Sequence, residues 1–168
     1  MSATLSVTNY DTLFTLNLSA MSCKELNFEL ITEIVAYPDN AVTFVNPLQV
    51  FEKYLTDDKF TCNEELAISV PMKPNSAKLE DSGKEELHGT AYTVNLTWEV
   101  SKTDASVYAI LHDLKRTFKH LIITTFGENR SLVRSNEDGW GFSFDDSEGV
   151  IKCNLSVMNV SGIQRIIE

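Results

Sequence analysis

GTAYTVNLTWEVSKTDASVYAILHDLKRTFKHLIITTF, residues 89–126, changes its hydrophobic period twice. First Tyr92, Val94, Leu96, Trp98 and Val100 alternate with Thr93, Asn95, Thr97 and Glu99, the two-residue period of a strand with one buried face. Then Val107, Ile110, Leu111, Leu114, Phe118 and Leu121 fall at i, i+3, i+4, i+7, i+11 and i+14, the apolar stripe of a helix packed on one side. From residue 121 to residue 126 the pattern is again that of a strand. The helix is predicted over about 103–118, with Thr103 as N-cap and Asp104 near the positive end of the dipole. Lys115, Arg116, Lys119 and His120 suit its negative end.

Downstream, short strands are predicted at 131–134, 140–144, 150–157 and 163–167, separated by turn residues, of which Asp138-Gly139 is the clearest signal. Upstream, residues 3–7 and 12–18 read as a hairpin, 28–37 as a long strand and 42–45 as a short one. Asn46-Pro47 starts a short helix over about 47–55, striped by Leu48, Phe51 and Leu55. Leu66, Ile68 and Val70 alternate as a strand stopped by Pro71. Residues 72–88 are polar and read as a long loop projecting from the body. The order is strand-rich, without the βαβ alternation of a parallel sheet. The expected fold is therefore α+β: one domain over 1–168, mainly an antiparallel β-sandwich or partly open barrel with a flanking helix.

Charge and composition narrow the function. There are 24 acidic and 14 basic residues, a net charge of −10, and 43% hydrophobic residues. Such a chain has material for a core but not the cationic surface that neutralises phosphates, so sequence-specific nucleic-acid binding is not expected. No apolar run approaches a membrane span, and residues 1–10 lack the pattern of a secretory signal. Synthesis in the cytoplasm is the expectation. Cys23, Cys62 and Cys153 are odd in number and widely spaced, which reads as reduced thiols rather than a disulfide scaffold.

Catalytic chemistry finds little support. His112 and His120, both placed on the helix, would lie about 12 Å apart along it, too far to share a metal. The acidic turn at 145–149 lacks the spacing of a calcium loop. No G-x-S-x-G occurs, and Gly139-Trp140-Gly141 precedes no helix. Cys153 shares the inward parity of Ile151, Leu155 and Val157, so it reads as an inert buried thiol. The expectation is a protein without enzymatic activity, metal or cofactor. Trp140 shares the parity of Phe142 and Phe144 and reads as core, with a rim aromatic of a subunit interface as the second reading.

The succession AYTVNLTWEV, DASVYAILHDLKRTF, HLIITTFGENRSLVR, EDGWGFSFDD and VIKCNLSVMNV, within residues 88–167, resembles the small neck, ring and tail-tube proteins of tailed bacteriophages. The match is to an order of elements and turns, and the first half of the chain departs from it. The resemblance implies a structural subunit, made in the host cytoplasm and then part of the virion. It would assemble with itself and with neighbouring virion proteins into a ring around a DNA channel. A chain this acidic would let DNA pass without holding it. Candidate interface residues are Lys73, Asn75, Lys78, Glu80 and Lys84 on the 72–88 segment, with Arg130, Arg134, Trp140 and Arg165 in the C-terminal third of this strongly acidic chain. The alternative is a monomeric or dimeric interaction module that uses an exposed sheet edge.

Overall fold

Alternation like that of residues 92–100 requires a sheet with one face buried and one wet, and the fold supplies it. A computed structural model describes residues 30–86, 89–101, 105–147 and 149–167. The hairpin expected over 3–7 and 12–18 and the cap expected at Thr103 lie outside these residues. The strands are β1 (Ile31–Pro38), β2 (Val42–Phe44), β3 (Tyr54–Thr56), β4 (Phe60–Cys62), β5 (Ile68–Ser69), β6 (Lys78–Glu86) and β7 (Gly89–Ser101). After the helix α1 (Ala105–Arg116) come β8 (Phe118–Thr125), β9 (Arg130–Arg134), β10 (Gly141–Ser147), β11 (Val150–Asn159) and β12 (Ile163–Ile167). A four-stranded sheet has the order β10-β11-β7-β6, a six-stranded sheet the order β3-β12-β9-β8-β1-β5, and β2 pairs with β4 alone. All pairings are antiparallel except β12 with β3.

The two large sheets face each other across one apolar core. Val94, Leu96, Trp98 and Val100 of β7 stand opposite Val157, Leu155, Cys153 and Ile151 of β11, and all eight are buried. They meet Ile34 and Ala36 of β1 and Leu121 and Ile123 of β8 from the other sheet, with Val107, Leu111 and Leu114 of α1 closing the cluster. Tyr108 and His112 of the helix also set their rings edge-on to Phe144 of β10. This is the expected mainly antiparallel β-sandwich with one helix; it is not a closed barrel.

The six-stranded sheet is buried on its second face as well. Tyr37, Ile122, Leu132 and Ile166 point away from the main core and pack under Ala41, Val42, Leu55 and Phe60. Hence burial along β8 and β9 is nearly continuous rather than alternating.

Three expectations need correction. The 72–88 segment is not a projecting loop: Lys78–Glu86 forms β6, the edge strand paired with β7 from Lys78↔Thr97 to Glu86↔Gly89. Leu79 is the only large apolar residue in β6, because an edge strand with a solvated outer face needs few, so no alternation announced it. Second, the helix of 47–55 is a single 3-10 element, Pro47–Phe51. The Asn46 cap is real, with Leu48 N–H donating to its Oδ1 and Gln49 Oε1 accepting from the Asn46 N–H, both at 2.9 Å. However, Leu55 belongs to β3. Third, α1 ends at Arg116, and Phe118, Lys119, His120 and Leu121 lie on β8. Phe118 and Leu121 satisfy a helical and a buried-strand pattern equally; the β-branched run that follows decides for the strand.

Candidate functional site

The nine candidate interface residues do not form one surface. Lys73, Asn75, Lys78 and Glu80 are exposed along the β6 flank, and Lys84 lies on the same strand. Lys73 N–H donates to the Glu99 carbonyl at 2.7 Å, while its Nζ stands 3.5 Å from the Glu99 carboxylate. Asn75 holds a left-handed turn at φ 62°. Arg130, on β9, grips both carboxylate oxygens of Asp57 at 2.6 and 2.8 Å, so it is committed within the chain. Arg134 is half-buried beneath the sheet. Trp140 is not an interface residue: it is buried, and its Nε1–H donates to the Phe118 carbonyl at 2.8 Å. Its indole fills the gap after the Asp138-Gly139 turn, whose Gly139 takes φ 89°.

Arg165 belongs to a different and more informative region. It stands beside Tyr54 in the parallel ladder of β12 with β3, the outermost strand of the six-stranded sheet. Arg165, Lys53 and Asp81 of β6 rim a cleft of about 350 Å³ floored by Ile31, Leu79, Ile123 and Ile163. The chain leading into β3 exposes Val45 at 71%, Leu48 at 68%, Phe51 at 63% and Tyr54 at 52%. These four recur every third residue. In a 3-10 turn residues three apart lie one above the other, so Leu48 and Phe51 share an outward side. The expected stripe of Leu48, Phe51 and Leu55 assumed the α-helical period; a period of three from Val45 to Tyr54 is the signal that identifies this surface.

The segment is held from beneath by one buried amide. Gln164, fully buried on β12, donates from Nε2 to the carbonyls of Gln49 at 2.9 Å and Glu52 at 2.7 Å. Both carbonyls lie at the end of the 3-10 turn; that of Gln49 also accepts from the Glu52 N–H at 3.1 Å, so the amide adds a second bond there.

A second concentration of polarity crosses the same sheet face. Tyr37, His120 and Arg134 are register partners on β1, β8 and β9. Tyr37 Oη–H donates to Glu64 at 2.8 Å, and burial together with that carboxylate raises the phenol above its ordinary range. Burial first, and Arg134 second, push His120 down to about 4, with Asp39 and the Pro38 backbone opposing. The ring is therefore neutral at pH 7. Burial also lowers Arg134, whose guanidinium sits 5.4 Å from the Phe44 ring centroid, a cation–π contact. His120 and Arg134 line a cavity of about 340 Å³.

The two described thiols are chemically quiet. Burial raises Cys153 to about 12, and burial with Glu64 raises Cys62 to about 11, far from the thiolate character that nucleophilic chemistry needs. Among the described residues, no three His, Cys, Asp or Glu side chains are grouped to hold a metal ion. No described helix is long and apolar enough to cross a membrane. Comparison of the chain with family models, with curated proteins and with solved structures finds no match.

Proposed function

We propose that this chain is a non-enzymatic structural subunit that associates with its own copies through the exposed 45–54 segment and the open β3 edge. The observation that carries this reading is the exposure of Val45, Leu48, Phe51 and Tyr54 beside β3, whose outer edge pairs with no strand among the described residues. Scattered apolar residues are ordinary on a surface, whereas a run of them at a sheet edge is a site that another chain covers. The β6 edge is the opposite case. Its Lys78, Glu80, Asp81 and Lys84 are the charges that keep an edge from pairing. The contacts first expected of residues 72–88 therefore move to the β3 flank.

A patch that meets a different surface on the next copy generates rings when the rotation closes. The resemblance of residues 88–167 to phage neck, ring and tail-tube proteins favours that form, with DNA passing through an acidic lumen. Light scattering across a concentration series, with negative-stain imaging of large species, tests this. The unmodified chain should form closed rings or stacked tubes. A Leu48→Ser/Phe51→Ser double variant should stay monomeric with an unchanged urea midpoint. A wild-type chain that is monomeric at every concentration would sink self-assembly. It would favour the alternative, an interaction module whose short β3 edge docks on an unlike protein.

A further inference from the structure

Four buried polar atoms without a hydrogen-bond partner among the described residues belong to residues that line one cavity. They are His120 Nδ1, Arg134 Nε, Ser135 Oγ and Asn136 Oδ1. Trp98 Nε1 and Gln164 Oε1 are the other such atoms, and neither lines this cavity. His120 is only 3% exposed. Buried polar atoms are nearly always satisfied, and four failing together in one place mark a shape made for something else to complete. Lattice-like register explains how they converge: His120 and Arg134 face each other across β8 and β9, and Ser135 and Asn136 continue β9 into the turn.

The atoms specify the chemistry. Arg134 Nε–H only donates. Asn136 Oδ1 only accepts, since its Nδ2 is engaged with the Met158 carbonyl at 3.3 Å. The Ser135 hydroxyl does either. The guanidinium of Arg134 has no carboxylate within ion-pair distance among the described residues; it lies over the Phe44 ring, and Asp39 acts on it from farther off. A half-buried cation without a direct ion pair has room for a closer anion. Asp39 and Glu137 also line the cavity, with Lys119. Two acids against two bases disfavour a dianion such as phosphate and leave room for a single negative charge.

We propose that this cavity binds a carboxylate whose neighbouring atom carries a hydrogen-bond donor, as in a 2-hydroxy acid. The carboxylate lies on Arg134 and Ser135, and the donor on Asn136 and His120. A carboxylate with a nearby donor comes from a free small acid or, with the donor one or two carbons further along, from an acidic side chain and its backbone N–H on a neighbouring copy of the chain. The proposal stands independently of the 45–54 contact.

Saturation-transfer NMR with glycolate and the full chain tests the free source. Glycolate should bind saturably at about millimolar strength, as befits a five-atom ligand. Propionate, of equal size without the donor, should bind at least fivefold more weakly. Arg134→Gln should weaken glycolate at least tenfold, with Arg134→Lys intermediate as the variant that keeps the charge, and Arg165→Gln should leave it within twofold. If glycolate does not bind but Arg134→Gln and Arg134→Lys, each with the wild-type urea midpoint, lower the assembled mass in light scattering while Leu48 and Phe51 are intact, the carboxylate comes from a neighbour. Glycolate binding that survives Arg134→Gln overturns the proposal, as does the absence of both effects.

Discussion

β7 and β8 run into and out of the same helix, but they are buried in different ways. β7 has one dry face and one wet face, so its side chains alternate and its polar residues all lie outside. β8 has cover on both faces, and six of its eight residues are buried. The difference teaches where polarity enters this fold. The core between the sheets is almost entirely apolar, whereas the second face of the six-stranded sheet takes in Tyr37, His120, Arg134 and Gln164. On that face, each polar group holds a covering segment or lines a cavity. One face supplies cohesion and the other carries the features that distinguish this molecule from a generic sandwich.

The largest test of this contrast is Leu155→Ala. Leu155 is 1% exposed, directly opposite Leu96 at 1%, and its truncation should cost about 3–4 kcal/mol of unfolding free energy by urea titration. A loss near 1 kcal/mol would show that the inter-sheet core is loosely packed and would erase the distinction.

Acid comes next. His120 is held near 4 when folded against 6.5 ordinarily. Below pH 6.5 the unfolded chain takes up a proton that the folded chain refuses, so stability falls as pH drops from 6.5 towards 4. The full effect is roughly 3 kcal/mol. Comparing urea midpoints at pH 7 and 4.5 in the wild type and in His120→Asn isolates it from the carboxylates. The variant should lose much less stability on acidification; equal losses would mean that His120 is readily protonated in place.

Gln164→Leu follows. It removes two hydrogen bonds and leaves the Gln49 and Glu52 carbonyls without them, at a cost of about 2 kcal/mol. It should also speed amide exchange in residues 47–53, which a purely apolar role for position 164 would not do. The smallest effect belongs to Arg130→Gln. Its pair with Asp57 is 39% and 55% exposed, so its loss should cost under about 1 kcal/mol in urea titration.

Much of the four-stranded sheet was legible in sequence because a half-wet sheet writes itself as alternation. The parity of Leu96, Trp98, Cys153 and Leu155 carried through to the fold, and so did the turn at Asp138-Gly139. β6 was hidden because an edge strand needs little apolar surface. The end of α1 was misplaced because Phe118 and Leu121 fit two periods at once, and His120 went with it. Residues 47–55 read as a helix with a one-sided stripe because Leu48, Phe51 and Leu55 suit the α-helical period. Only their place in a 3-10 turn, with Gln49 inward, turns Leu48 and Phe51 out. The polar cavity had no local signature, because it is assembled from β8, β9 and the turn after β1.

The Gln164 clamp has a consequence for when this part of the molecule takes shape. Its two carbonyl partners lie 115 and 112 residues earlier in the chain. A ribosome delivers residues 45–54 long before it delivers residues 163–167. Until β12 arrives, β3 lacks the one strand it pairs with among the described residues, and the 3-10 turn lacks the amide that holds its end. Residues 45–54 therefore reach their final form only after a strand made more than a hundred residues later has folded back beneath them.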